Sequence, residues 1–160
     1  MNRQRTYVGF GFGAIQTGLF LGEAFRARAF ERLVVAEILP DLVTAVRQAD
    51  GLFVINIAHA DRIEWVNLGP VELENTAVEA DRQRLIAAIA EAQEMGTAIP
   101  SVKDYASDQP GSVHRLLAAG LRRKAAQGGP RAVTRERSGM QSRSINPKAT
   151  LTPSVTPFLT

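Results

Sequence analysis

The sequence predicts an α/β fold: a mostly parallel sheet with helices between its strands, an inserted β-hairpin, and a C-terminal end at which the sheet is incomplete. Three observations lead there. Apolar runs at residues 6–10 and 33–38 flank a segment of helical period, the strand, helix, strand order that joins parallel strands. The period drops to two over residues 52–67 and then returns to helical spacing, which places a hairpin inside an alternating α/β chain. Beyond residue 133 no period is sustained.

Taken in order, "TYVGF" (6–10) reads as a strand, and residues 14–27 carry Ile15, Leu19, Leu21, Ala24 and Phe25 at helical spacing. "LVVAEI" (33–38) is continuously apolar up to its acid, as in a strand covered on both faces. In "LPDLVTAVRQADG", Pro40 suits a first helical turn, Leu42, Val43 and Val46 form one face, and Gly51 closes the end. "LFVINIA" and "IEWVNLGPVELEN" alternate about a turn at "HADR", a hairpin or small meander in which Trp65 packs across the strands. A long helix is expected over residues 78–95, with Leu85, Ile86 and Ile89 as its stripe and Gly96 as its stop. "TAIPS" then serves as the next parallel strand. Val113, Leu116, Leu117, Gly120 and Leu121 mark the clearest amphipathic helix, with Pro110 near its start and Gly128-Gly129 at its stop. "PRAV" begins another strand that never develops, and residues 134–160 hold a dozen Ser, Thr and Pro among 27 residues. That composition buries too little to offset chain entropy, so a domain over 1–133 followed by a disordered basic tail over 134–160 is expected.

With 160 residues the chain suits one buried core. No apolar stretch reaches the roughly 18 residues of a membrane span. The absence of cysteine removes disulfides and thiolate chemistry and fits a cytoplasmic protein. Charge is unevenly placed: up to Ser107 there are 10 Lys/Arg against 14 Asp/Glu, and from Asp108 onward 9 against 2. The net charge of +3 therefore belongs to the C-terminal part and is not a nucleic-acid signature of the whole chain.

The stretch that carries chemistry is "YVGFGFGAIQTG", residues 7–18. Glycines between a buried strand and a helix allow a tight turn and let backbone N–H groups approach a pyrophosphate, whose charge the helix N-terminus favours. Gly11 and Gly13 suit these roles. Glu37, ending the next strand, is placed to accept hydrogen bonds from ribose hydroxyls and to repel a 2′-phosphate, so NAD is expected over NADP. The third glycine of the motif falls at Gln16 when counted from Gly11, and at Ala14 when counted from Gly9. The Gly11 register keeps the strand whole and leaves Gly18 and Gly22 for close helix packing. A glycine-rich turn with no ligand is the plain alternative.

"YVGFGFGAIQTGLFLGEAF", "LVVAEI", "VNIAHADRIEWVNLGPVEL" and "TAIPSV", in that order, resemble the N-terminal Rossmann domain of the polyol-specific long-chain dehydrogenases, the mannitol dehydrogenase and mannitol-1-phosphate 5-dehydrogenase group, over about residues 5–133. The resemblance implies a Rossmann-type sheet and NAD as cofactor. It implies that Gly11, Phe12, Gly13, Ala14 and Ile15 line the pyrophosphate turn, that Glu37 binds ribose, and that Thr97, Ala98, Ile99 and Pro100 lie against the cofactor. The activity implied is hydride transfer between a sugar alcohol, or its phosphate, and the nicotinamide. Two features depart from the family: Gln16 stands at the third glycine, and a valine-glycine-proline-like segment reads "AIPS". The family's catalytic lysine, asparagine and histidine belong to a helical C-terminal domain, and "TRERSGMQSRSINPKATLTPSVTPFLT" stands in its place here. The expectation is thus a truncated NAD-binding domain with no catalytic residue of its own, inactive alone and able to self-associate through an uncovered sheet edge.

The remaining candidates have plainer readings. His59 and His114 are 55 positions apart and have no metal-ligand spacing. His59 with Asp61 reads as a turn before it reads as a catalytic pair. Arg122, Arg123 and Lys124 read as a solvated helix face. Two rival functions share the same residues: an S-adenosylmethionine-dependent methyltransferase, since Gly9, Gly11 and Gly13 also make a G-x-G-x-G turn before an acid, and a non-enzymatic interaction protein using the basic C-terminal part.

Overall fold

A computed structural model describes residues 4–128. The tail over 134–160 and the strand start at Ala132 and Val133 lie outside the described residues. The architecture is mixed α/β: a parallel four-stranded sheet and a separate antiparallel pair.

The sheet is built from β1 (Thr6–Phe10), β2 (Arg32–Glu37), β5 (Glu72–Asn75) and β6 (Glu94–Thr97), in the order β5-β2-β1-β6. The hairpin is β3 (Phe53–Ala58) with β4 (Ile63–Leu68). Helix α2 (Pro40–Gln48) follows β2, α3 (Glu79–Glu91) follows β5, and α4 (Val102–Tyr105) and α5 (Val113–Ala126) come in succession after β6, while β1 leads into a helix that is π-helical over Ile15–Leu21 and α-helical over Gly22–Arg26, the latter part α1. Chain progress runs from β1 outward through β2 to β5 and then returns to the other side of β1 as β6.

Alternation along the central strands sends side chains into two cores. Val8, Phe10, Val34 and Ala36 meet Leu85, Ala88 and Ile89 of α3 and Val113 and Leu116 of α5. On the opposite face Tyr7, Leu33, Val35 and Leu73 meet Leu21, Ala24, Val43 and Val46. At about 25 cal/mol per Å² of apolar area, such double-sided burial is the main force holding the sheet between its helix layers.

Four expectations are corrected. First, Ile15, Leu19 and Phe25 are exposed, whereas Gln16, Leu21 and Ala24 are buried. The cause is the π-helical turn: the Gly22 N–H donates to Thr17 O, five residues back, so the inner face is spaced i, i+5 through Gln16 and Leu21. Gly18 makes no close approach either; a Cβ there would meet nothing within 4 Å. Second, "VELEN" does not continue the hairpin. Val71 N–H donates to Gly51 O at 2.9 Å, and the chain then enters the main sheet, pairing Leu73 with Val35 in parallel. Third, α3 ends at Glu91 rather than Met95, and the next strand is Glu94–Thr97 rather than "TAIPS". Gly96 is inside that strand, where a Cβ would fall on Tyr7 Oη and 3.2 Å from Phe20. Fourth, Trp65 lies opposite Asn56 and is 72% exposed, so it packs across no core.

Sequence reading also missed an ion cluster. Buried Glu74 and Asp81 both accept from Arg47 Nη2, at 2.8 and 2.6 Å, and both pair with Arg84. Asp81 further accepts the Asn75 N–H at 2.8 Å. These bonds clamp the end of β5 to the first turn of α3.

Candidate functional site

A cleft of about 310 Å³ opens where the C-terminal ends of β1 and β2 meet the segment after β6. This is the side of a parallel sheet at which ligands bind, above the point where strand order reverses.

The turn after β1 forms its floor. Gly11 has φ +81°, a conformation that disfavours any side chain, and its N–H donates to Ala36 O at 2.9 Å. A Cβ on Gly11 would also lie 3.0 Å from Ala98 O, so the turn and the segment after β6 are in close contact. At Gly13 a Cβ would meet nothing within 4 Å. Among the described residues the N–H groups of Gly13 and Ala14 have no hydrogen-bond acceptor. Two unpaired amides at the start of a helix, with open space above a glycine, are what an anionic group requires.

Glu37 closes one wall. The residue is 8% exposed; Oε2 of its carboxylate accepts the Phe12 N–H at 2.8 Å, and Oε1 accepts those of Ile38 at 2.7 Å and Leu39 at 3.1 Å. A carboxylate offers about four lone-pair positions, so three are used in shaping the turn and one remains for a ligand hydroxyl. Phe12 is fixed from the other side by its edge-on contact with Phe53 of β3, ring centroids 5.0 Å apart. The inserted hairpin therefore braces the glycine turn.

Of the residues expected to hold a cofactor, Gly11, Phe12, Gly13, Glu37, Ala98, Ile99 and Pro100 line this cleft. Thr97, Ala14 and Ile15 do not: Thr97 is the last residue of β6, and Ile15 faces outward at 61% exposure because of the π-helical turn. Phe10, Ala36, Ile38, Leu39 and Val113 add apolar lining, and sequence reading missed Thr76, Asp104 and Gly111, which also line the cleft. Gly111 is pressed on Thr76, where a Cβ would lie 2.5 Å from the carbonyl oxygen. The Pro110-Gly111 pair was the available signal, and it reads from sequence as a helix start alone.

Gln16 occupies the third-glycine position of the preferred register and is fully buried. Its Nε2 donates to Tyr7 Oη at 2.9 Å, while Oε1 has no partner. Burial pushes the Tyr7 phenol up against the opposing effect of the Gln16 hydrogen bond. The carboxamide lies on Gly9: a Cβ there would fall on Nε2 and within 2.7 Å of Cδ. Gly9 thus belongs to the strand and Gly11 to the turn, as the preferred register has it.

The remaining polar candidates are structural. His59 Nε2 pairs with Glu64 at 2.8 Å across the hairpin, rather than with Asp61, and the hydrogen bond from His59 lowers the Glu64 carboxyl. Lys124 donates to Ala92 O at the end of α3, so it is not part of a freely solvated face, whereas Arg122 and Arg123 are exposed. Among the described residues no three His, Asp or Glu are grouped as metal ligands, and no helix is long and apolar enough to cross a membrane. In comparisons with known proteins, no protein-family model and no curated protein sequence matches the chain.

Proposed function

We propose that this cleft binds NAD as the nucleotide site of a Rossmann-type domain, and that the chain belongs to an oxidoreductase acting on a sugar alcohol or its phosphate. The observation that carries the nucleotide reading is the combination at one strand end: a positive-φ glycine turn with open amides at Gly13 and Ala14, facing a buried carboxylate, Glu37, that retains one free acceptor position. The amides would take the pyrophosphate, and Glu37 the adenosine ribose. A carboxylate there disfavours a 2′-phosphate by like-charge repulsion. Exposed Ile38 and Leu39 on one rim, with Ile99 and Pro100 on the other, supply apolar surface for a flat base.

The polyol reading rests on the sequence resemblance. Bound nicotinamide would supply a two-electron hydride acceptor, leaving the protein to position it and to hold the proton released from the alcohol. No lysine or histidine lines the cleft among the described residues. The 160-residue chain is therefore expected to bind the dinucleotide without turning over mannitol, other hexitols or their phosphates.

Calorimetric titration with NAD, NADH, NADP and S-adenosylmethionine tests the reading. Saturable binding of NAD or NADH, weaker for NADP, is the expected result. Tighter binding of S-adenosylmethionine would transfer the cleft to the methyltransferase reading.

A further inference from the structure

The cleft continues past Glu37. A second cavity of about 500 Å³ shares Ile38, Thr76, Asp104 and Gly111 with it, so the two form one trough with these residues at the junction. In the first cavity the side chains able to hydrogen-bond a ligand are Glu37, Thr76 and Asp104. Glu37 is committed to three backbone amides. Asp104 differs, because its carboxylate has no hydrogen-bonding or ionic partner among the described residues, although its backbone is well held. Its N–H donates to Ser101 O at 3.2 Å. The next residue's carbonyl, Tyr105 O, is 3.1 Å from His114 Nδ1, which is itself 3.2 Å from Ser112 Oγ. These contacts fasten α4 to the start of α5 and set Asp104 at the junction.

Resting on the nucleotide reading above, the geometry points to Asp104 as the residue that selects the base: a purine lying between the Ile38 and Ile99 walls presents its six-position edge to Asp104, and the carboxylate favours a 6-amino group. An ionised carboxylate only accepts hydrogen bonds. On the N7 side of the six-position, adenine offers an exocyclic N–H, whereas hypoxanthine offers only its carbonyl oxygen, which the carboxylate repels, its N1–H lying on the other side of that position. The adenine of the proposed NAD thereby gains a recognition residue of its own.

The test is calorimetric titration of the full chain with NAD and with nicotinamide hypoxanthine dinucleotide, which differ only in the six-position group and the adjoining N1 proton. For the unaltered protein NAD is expected to bind about tenfold more tightly, the scale of one hydrogen bond to a charged group. Asp104→Ala should cut the ratio to about twofold, and Asp104→Asn, which can donate as well as accept, should bring it close to one. Asp104 is solvent-exposed on a short helix, so both variants should keep the parent's thermal midpoint. Equal affinities for the two dinucleotides in the unaltered protein, or a tenfold ratio surviving in Asp104→Ala, would overturn the assignment while leaving the nucleotide site in place. Binding of neither dinucleotide overturns the site and the assignment together.

Discussion

Replacing Gly9 with Ala probes how the helix after the glycine turn is seated on the sheet. The new Cβ would clash with Gln16 Nε2 and stand 2.7 Å from Cδ, so the carboxamide must leave its place. Gln16 is fully buried beside Leu21 on the inner face of the π-helical turn, and its hydrogen bond to Tyr7 Oη is lost when it moves. Overpacking costs about 1–3 kcal/mol, and a buried hydrogen bond broken without replacement about 1–3 more. Alanine in a strand recovers about 0.5–1 kcal/mol over glycine. The net expectation is a loss of about 2–4 kcal/mol. Urea denaturation followed by far-ultraviolet circular dichroism measures it; Trp65 is too exposed for its fluorescence to report core packing. The contact itself is isolated by repeating the substitution in Gln16→Ala, where the obstructing atoms are gone. There Gly9→Ala should cost under about 1 kcal/mol, a coupling of about 1–3 kcal/mol between the two sites. Strictly additive losses would refute the reasoning, since they would mean that Gly9 is not small on account of Gln16.

Gly13→Val should abolish dinucleotide binding in the calorimetric titration while leaving the unfolding free energy from urea denaturation within about 0.5 kcal/mol of the parent, because the added side chain enters open space and meets only the ligand. Glu37→Ser should narrow the preference for NAD over NADP and also destabilise by about 1–3 kcal/mol, through the amides of Phe12, Ile38 and Leu39; an equal drop in affinity for both cofactors would deny the ribose role. For Asp81, burial opposes ionisation but is outweighed by the Asn75 N–H and by Arg47 and Arg84, which hold its carboxyl below the usual range. A depressed folded-state value means that its contribution is fully present above about pH 4 and is lost as pH falls through the folded-state value. Arg47→Met should therefore reduce the acid sensitivity of unfolding in that window, measured as urea midpoint against pH.

The elements that were legible in the sequence are those whose signal is local. Residues 7–10 and 33–36 carry no charged side chain because both faces of β1 and β2 are covered, and Pro40 marks the start of α2 because it tolerates a missing N–H there. What failed to show was decided by distant partners. Glu74 alternates with Leu73 like a solvent-facing hairpin residue, yet it is buried because Arg47 and Arg84 neutralise it. "EMGT" lacks a strand-forming composition and becomes β6 through its register with β1, Gly96 lying opposite Gly9. The site divides in the same way. Gly11, Gly13, Glu37 and the Ala98–Pro100 segment follow from a motif and the strand ends next to it, whereas Thr76 comes from the turn after β5, Asp104 from α4 and Gly111 from the turn before α5, and only the strand order brings these to one cleft.

The departure at Gln16 has a physical resolution in the strands beneath it. In a dinucleotide turn the third glycine lets the helix approach the sheet, and a glutamine at that position would be expected to hold the two apart. Here the helix side carries the bulk and the strand side is emptied. Gly9 leaves room for the carboxamide, and Gly96 on the neighbouring strand leaves room for Tyr7 Oη, which anchors it. The π-helical turn completes the exchange by rotating Gln16 inward and Ile15 outward, so that the large side chain enters the space provided. Gly11 keeps its positive φ and Gly13 its open space throughout. The packing role of the missing glycine is thus met by two strand glycines elsewhere in sequence, and the backbone at the floor of the cleft retains the form that an anion needs.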